Sequence, residues 1–369
     1  MLASMQLLWA ISSTILLHGQ LYSGAGPLIR LPMRREIVNS SFARYGLVAN
    51  LSVNKQNLGV LVHTETPLMF FVSNFFYSYE YCLESVYGCF FCYEGECNVT
   101  RRSTEVTFRD GLTISVLVST GSLDISEQDR PIISFGSLLN FIHGSVERVP
   151  SSVLGLGFPQ NRPLFRTPLI NQLVRDPSGY IKSRSFSLYL ESGSLTRGEV
   201  LLGGVDPDKF IGPLALMPVF GEGHWMLHVL AVYVGGGSRR QAGLHVVLDT
   251  GTNGIYTPAK AREDLITLIK AGVEKPIDIR LNGGVYEVDC VDRNYLPTIQ
   301  LSLEGVGGKV SMEVPQENYV EELASSGACT LLFLENTEGF WRIGQNVVPG
   351  NYFSFDFDKK QIGIAKVKP

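Results

Sequence analysis

The sequence predicts an all-β protein, mainly strands with a few short helices, that folds as two related lobes with a cleft between them. Three observations support this prediction. The chain has 369 residues, more than one domain usually contains. Short apolar runs are separated by turn residues, among them many of the 38 glycines. Two short motifs each occur twice in the same order, which indicates two lobes related by duplication.

The first duplicated motif is residues 246–252, which read VVLDTGT, and its copy is residues 60–66, which read VLVHTET. In both copies three apolar residues predict a buried strand that ends at a polar side chain. Burial of the Asp249 carboxylate costs free energy unless the group is hydrogen-bonded or takes part in chemistry. In the copy, His63 replaces this aspartate and Glu65 replaces the glycine that follows.

The second motif pair is Leu154-Gly155 and Ile343-Gly344, and its separation is nearly that of the first pair. Together the motifs resemble those of the pepsin-like aspartic proteases over roughly residues 43–369. In that family each lobe supplies one Asp-Thr-Gly loop, and a later apolar-apolar-Gly strand passes beneath it. One carboxylate from each loop shares a proton and a water molecule with the other.

The resemblance implies a catalytic pair formed by Asp249 and His63. It also implies a hydrogen-bonded brace across the lobes, made by the threonine of each loop. The supporting loop residues are therefore Thr64, Glu65, Thr66, Thr250, Gly251 and Thr252. A protonated His63 beside Asp249 would form an ion pair that lowers the pKa of the aspartate, and the pair would titrate as one coupled unit.

The substitution at His63 leaves activity open. Asp249 could act as general base toward water while a cationic His63 polarises the carbonyl or donates a proton. A histo-aspartic subgroup of the family carries histidine at the same position. Glu65 is the more damaging change, because glycine in a tight loop is usually required by backbone geometry or close approach. Pro67 removes a further backbone donor.

A hairpin over residues 106–118 matches the family's flap, which closes over bound peptide. Its turn is Arg109-Asp110-Gly111, and Phe108 stands where the family has a tyrosine. Phe70 stands where the family has a tryptophan. Those two family residues hydrogen-bond each other, so their joint replacement keeps an apolar contact and abandons a polar one.

The chain divides into four predicted parts. Residues 1–24 resemble a secretory signal peptide, since the apolar run is too short for a membrane span; an uncleaved anchor is the alternative. Residues 25–42 form a short, partly basic pro-segment or N-terminal surface arm. The N-terminal lobe with the flap takes residues 43–215 and the C-terminal lobe residues 216–369, with the boundary near Pro213 to Met217.

Six cysteines and three Asn-x-Ser/Thr sequons at Asn39, Asn50 and Asn98 indicate an oxidising, secretory compartment. The resemblance to the family implies a disulfide between Cys290 and Cys329. The other four cysteines could pair in three ways; they are Cys82, Cys89, Cys92 and Cys97. Zinc at Cys89-x-x-Cys92 is a weaker alternative, because no ligand histidine flanks it.

Periodicity predicts individual elements within both lobes. Strands are expected at residues 45–53, 58–62 and 185–190, with a closing hairpin at 353–365. Helices are expected at residues 168–175 and 258–272, the second with a buried apolar face. Four other histidines are interpreted as structural, because no metal-ligand spacing joins them: His143, His224, His228 and His245.

Two functional hypotheses follow. The favoured one is a secreted, monomeric pseudoprotease that binds a peptide or protein ligand in its cleft without cleaving it. The alternative is an active histo-aspartic endopeptidase that uses Asp249 and His63. Neither requires a cofactor, and a metal held by His63, Asp249 and Glu65 is not favoured. The net charge of −4 and the lack of a basic block argue against nucleic acid, and no membrane partner is expected after signal removal.

Overall fold

The computed structural model describes residues 26–38, 45–95, 97–107, 113–143, 151–159, 167–191, 196–322 and 328–369. Several sequence predictions concern residues outside these ranges. They are the signal peptide at 1–24, the sequon at Asn39, and the flap residues Phe108, Arg109, Asp110 and Gly111.

The first half of the chain is built from short strands and two helices. They are β1 (Ile29–Ile37), β2 (Tyr45–Val53), β3 (Gln56–His63), β4 (Phe70–Phe71), α1 (Tyr79–Glu84), β5 (Asn98–Thr107), β6 (Thr113–Ser122), β7 (Ile132–His143), β8 (Val153–Gly155), α2 (Leu169–Arg175), β9 (Ser185–Leu190) and β10 (Gly198–Leu202).

The second half repeats this pattern. Its elements are β11 (Phe210–Pro218), β12 (Met226–Val234), β13 (Ser238–Leu248), β14 (Ile255–Thr257), α3 (Ala259–Gly272), β15 (Arg280–Asn282), β16 (Val285–Asp289), β17 (Ile299–Gly305), β18 (Gly308–Val314), α4 (Gln316–Tyr319), β19 (Val320–Glu322), β20 (Ala328–Leu331), β21 (Phe333–Glu335), β22 (Trp341–Ile343), β23 (Asn351–Asp356) and β24 (Gln361–Val367). Short 3₁₀ turns lie at Pro207–Lys209, Gly235–Gly237, Cys290–Tyr295 and Gln345–Val347.

The strands form three sheets. The largest has 13 strands in the order β11-β24-β23-β9-β10-β1-β2-β3-β8-β4-β7-β6-β5. A 7-stranded sheet has the order β18-β17-β12-β13-β22-β14-β21, and a 4-stranded sheet has the order β15-β16-β20-β19. The predicted helices at 168–175 and 258–272 and the predicted strand at 185–190 are confirmed as α2, α3 and β9.

The two motif loops sit in the same local topology, one in each half. The strand that leads into each loop pairs in parallel with the later apolar-apolar-Gly strand, β3 with β8 and β13 with β22. On its other side, the apolar-apolar-Gly strand forms an antiparallel pair, β8 with β4 and β22 with β14. Gly155 and Gly344 are required here, because a Cβ at either would lie 2.3 Å from a backbone oxygen. The repeated topology confirms the predicted two-lobed, mainly β fold.

Residues 29–37 correct one sequence interpretation. They are the strand β1, which pairs with β10 on one side and β2 on the other, and not a surface arm. Ile29, Leu31 and Met33 alternate with solvent-facing residues and are buried in the main core. This two-residue period is what a half-buried strand requires. Arg30, the one basic residue between them, is exposed on the outer face, and Arg34 and Arg35 follow Met33.

The C-terminal hairpin ties the two halves together. β23 pairs with β9 of the first half, and β24 pairs with β11. The boundary predicted near Pro213 to Met217 therefore falls inside the strand β11, within a sheet that both halves share. Trp225 is fully buried beside this sheet, and its indole N–H donates to the carbonyl of Leu156 at 3.1 Å.

Three disulfides join the six cysteines. Cys290–Cys329 confirms the pairing that the family resemblance implied. The four clustered cysteines pair as Cys82–Cys89 and Cys92–Cys97. All four thiols are therefore bonded, which excludes the zinc alternative at Cys89-x-x-Cys92. Among the helices of the described ranges, none has both the length and the apolar character needed to cross a membrane.

Candidate active site

The threonine of each motif loop reaches across to the other loop. Thr64 Oγ1 donates to the carbonyl of Leu248 at 2.7 Å and accepts from the amide of Thr250 at 3.1 Å. Thr250 Oγ1 donates to the carbonyl of Val62 at 2.7 Å and accepts from the amide of Thr64 at 3.2 Å. These four reciprocal bonds are buried, and they hold the two loops close together.

Asp249 lies at the end of β13 and is 3% exposed. Its Oδ1 accepts from the amide of Gly251 at 3.0 Å and lies 3.1 Å from His63 Nδ1. Its Oδ2 accepts from Arg342 Nη1 at 2.7 Å. Both oxygens of the carboxylate are therefore held by donors from the protein.

His63 faces Asp249, as the duplicated frame predicts. Its ring packs against the opposite loop, where a Cβ on Gly251 would lie 2.4 Å from the imidazole. Glycine at position 251 therefore makes room for the histidine. Nδ1 also lies 3.3 Å from the amide of Glu65. The shorter contact, to the Asp249 acceptor, requires a hydrogen on Nδ1.

Arg342 is the functional residue that the sequence reasoning missed. It lies on β22 and is 7% exposed, and its other donors bond Glu338 at 2.9 and 3.2 Å. Burial lowers the pKa of Arg342, but Asp249 and Glu338 outweigh this and raise it. The guanidinium is thus a permanent cation beside the carboxylate of the second loop.

A signal for Arg342 was present in the duplicated motif. Val62 lies opposite Leu154, and Leu248 lies opposite Ile343, so Arg342 occupies the position that Val153 takes in the first half. Val153 is buried, as expected beneath the loop. A charged side chain at the equivalent position in the second half, Arg342, requires a buried partner of opposite charge.

Glu65 contacts the second lobe with both of its carboxylate oxygens. Its Oε1 accepts from the amide of Trp225 at 3.1 Å, and its Oε2 lies 2.6 Å from His224 Nδ1. Arg342 Nη1 lies 3.7 Å from the same oxygen. The backbone at Glu65 does not adopt a positive φ, which corrects the expectation that the loop geometry there demands glycine. His224, interpreted as structural from the sequence, is therefore part of this cluster.

The buried cluster carries both signs of charge. Burial alone would raise the pKa of Asp249, but His63 and Arg342 outweigh it and hold that pKa well below the usual range. Asp249 is consequently held in its ionised form at pH values where an unperturbed aspartate would begin to take up a proton. A carboxylate with both oxygens bonded and a lowered pKa is a weak proton acceptor.

The remaining predicted site residues have structural contacts. Thr252 Oγ1 donates to the backbone carbonyl of Asp249 at 2.9 Å, and Thr66 Oγ1 accepts from the amide of Leu68 at 3.3 Å. Phe70 is buried in β4 beside Val153. Phe108 lies outside the described residues, so its contact with Phe70 stays a prediction. Across the described ranges, no group of three or more His, Cys, Asp or Glu side chains is arranged to hold a metal.

Comparison with known proteins agrees with this topology. The family model "Eukaryotic aspartyl protease" matches residues 97–367. The chain is 28% identical to cathepsin E-B of Xenopus laevis over 59% of its own length and 53% of that protein, so it spans about half of that relative. It is 25% identical to pepsin-2B of Gadus morhua over 72% of this chain and 81% of that protein, and 28% identical to cathepsin D of Gallus gallus over 73% and 69%. The matched region contains Asp249 and Arg342 but begins after His63. The chain therefore belongs to the eukaryotic aspartyl protease family.

Proposed function

We propose that this protein is a non-catalytic member of its family that binds a peptide or protein segment in the cleft between its lobes. The observation that carries the proposal is the 2.7 Å bond from Arg342 Nη1 to Asp249 Oδ2. It ties the one remaining carboxylate of the dyad to a buried cation.

The chemistry of the dyad supports this conclusion. Peptide hydrolysis in the family requires one carboxylate that accepts a proton from water and a second acid that protonates the carbonyl. Here the first is fully bonded and has a lowered pKa, and the second is an imidazole. Arg342 also competes with any water for Oδ2. The site keeps the frame of the family and lacks a free base.

The alternative, an active histo-aspartic peptidase, rests on a different observation. His63 Nδ1 lies 3.1 Å from Asp249 Oδ1, within reach for a proton donor that acts together with the aspartate. The threonine brace also remains complete. In that mechanism Asp249 would activate the water and cationic His63 would polarise the carbonyl.

The compartment is part of the proposal. Three disulfides indicate an oxidising environment and therefore the secretory pathway. Asn50 and Asn98 each begin a sequon and are exposed, so both are accessible for N-glycosylation. We infer a secreted glycoprotein that acts as a monomer.

A digestion experiment separates the two functions. The purified chain and its Asp249→Asn variant are incubated with a peptide library from acid to neutral pH, and products are read by mass spectrometry. We expect no cleavage that depends on Asp249. Cleavage by the wild type that the variant lacks would establish the peptidase and overturn the proposal.

A binding measurement completes the test. The same library is equilibrated with the wild-type chain, and retained peptides are identified after gel filtration. We expect peptides to be retained intact by the wild-type chain. Retention of no peptide at any pH would refute the binding function, even if cleavage were also absent.

A further inference from the structure

One segment of the first lobe, which follows the first motif loop, has an unusual composition. Residues 75–93 contain nine aromatic residues among 19. The longer stretch 64–100 contains no Lys, Arg or His, although it includes five glutamates. Neither feature is used by the cleft chemistry, in which only Thr64, Glu65 and Thr66 at the start of this stretch take part.

Some of these aromatic rings belong to the core, and Tyr79 and Tyr93 at the surface are linked by ring contacts through the partly buried Phe91. Tyr87 and Phe90 are buried. Tyr79 and Leu83 are 62% and 69% exposed, and they lie one turn apart on the same face of α1. The Tyr79 ring lies 6.1 Å from that of Phe91, which stacks at 6.2 Å on Tyr93. We call Tyr79, Leu83, Phe91 and Tyr93 the aromatic ridge.

The ridge is held rigidly. The disulfide Cys82–Cys89 anchors α1 to the following turn, and Cys92–Cys97 closes the loop that carries Tyr93. Gln56 clamps the backbone of Phe91, accepting from its amide at 2.8 Å and donating to its carbonyl at 2.7 Å. A surface fixed in this way loses little conformational entropy when a partner binds.

The charged residues on α1 and in the loop that carries Tyr93 are acidic where the structure describes them. Glu80 and Glu84 lie one turn apart on α1 next to the exposed apolar pair, and Glu94 follows Tyr93; all three are exposed. Within the part of the chain that the structure describes, none of the three forms an ion pair with Lys, Arg or His. Exposed tyrosine faces beside carboxylates attract cations through both the ring quadrupole and the charge. The acidic residues would repel an anionic membrane.

We propose that the aromatic ridge docks a cationic polypeptide segment whose Lys or Arg residues alternate with apolar anchors. The apolar anchors pack on Tyr79 and Leu83, where exposed aromatic area supplies the core of an interface. The basic side chains lie over the tyrosine rings and pair with Glu80, Glu84 and Glu94. This surface does not depend on whether the cleft binds or cleaves peptides.

The experiment uses a displayed library of random 12-residue peptides and the full, disulfide-bonded chain. Binders of the wild type are counter-selected on the ridge variant Tyr79→Ser/Leu83→Ser, which removes every peptide that binds the cleft. We expect the remaining peptides to be rich in Lys and Arg. Synthetic copies should bind the ridge variant at least about tenfold more weakly, because exposed aromatic anchors dominate such interfaces.

Two further variants complete the design. Glu80→Gln/Glu84→Gln keeps the apolar anchors and removes charge, so affinity should fall several-fold and depend less on salt. Leu281→Ser/Val306→Ser removes two residues of the second lobe that are 58% and 60% exposed, and it should bind like the wild type. Circular dichroism melting of each variant verifies that the fold is intact.

Three results would overturn the proposal. The first is a selection that yields no peptides dependent on the ridge. The second is ridge-dependent peptides without an excess of Lys and Arg. The third is ridge-dependent binding of phosphatidylserine vesicles or ridge-dependent self-association without peptide binding, which would assign the surface to a membrane or to a second copy of the chain.

Discussion

The contact between Arg342 and Asp249 makes a quantitative prediction. Arg342→Leu removes the cation and keeps much of the apolar volume, and it leaves a carboxylate that is 3% exposed without its 2.7 Å partner. Loss of one member of a buried ion pair costs roughly 3–5 kcal/mol. Asp249 keeps two further contacts, to the amide of Gly251 and to His63. We therefore expect a loss near the lower end, about 3 kcal/mol.

The assay is urea unfolding at neutral pH, followed by tryptophan fluorescence, with a matched control. Arg262 is similarly buried, its side chain 11% exposed against 9% for Arg342, but its partner Glu335 is 50% exposed. Arg262→Leu should therefore cost only about 1 kcal/mol. The double variant Arg342→Leu/Asp249→Asn should lose less than the sum of its two single variants, by about 2 kcal/mol.

The pH dependence has a definite sign. A carboxylate whose pKa is lowered by folding contributes stability that is present above its unfolded pKa of about 3.9 and is lost as the pH falls through the folded pKa. The deficit of Arg342→Leu should therefore be full at pH 7 and shrink on acidification below about pH 4. Equal losses in Arg342→Leu and Arg262→Leu, or strictly additive losses in the double variant, would refute the assignment of Arg342 as the partner of Asp249.

Three further predictions concern the same region and its surroundings. Glu65→Gln should lower the free energy of unfolding by about 1–3 kcal/mol, measured by the same urea titration, because a charged buried acceptor is lost. His63→Asp alone should restore no peptidase activity in a fluorogenic peptide assay, because Arg342 still holds Asp249. Mild reduction followed by alkylation and mass spectrometry should open Cys92–Cys97 before the other disulfides, because both of its cysteines are partly exposed.

Much of the fold could be predicted from the sequence because the same two motifs occur once in each half of the chain. The repeated apolar triplets and the paired glycines predicted two equivalent loops. Gly155 and Gly344 leave no room for a side chain, because a Cβ at either would clash with the backbone that packs on it. The elements with clear periodicity, α3 and β9, lie where the pattern predicted. The strand β1 was not predicted because the basic residues of this segment indicate a surface arm. The alternation of the apolar residues Ile29, Leu31 and Met33 is the signal that indicates a half-buried strand.

The sequence predicted only part of the site. His63 and Asp249 could be brought together by the duplicated frame alone. The pairing of Glu65 with His224 could not, since the two lie 159 positions apart and no repeat relates them. Arg342 could have been found by aligning the second motif pair residue by residue, because a charge then stands opposite Val153. The pairing among four closely spaced cysteines depends on the path of α1, which the spacing does not determine.

The departures from the family pattern are physically linked, and this explains why a single reversion should fail. Glu65 and Arg342 are both buried charges, and each lies close to the other across the lobes at 3.7 Å. Reversion of Glu65 alone would leave His224 and the amide of Trp225 without their acceptor. Replacement of Arg342 alone by an apolar residue such as the Val153 of the first half would leave two buried carboxylates with reduced compensation. His63 replaces one member of the dyad, and Glu65 and Arg342 bond the buried groups around it. We therefore expect that a working pair of acids requires positions 63, 65 and 342 to change in concert.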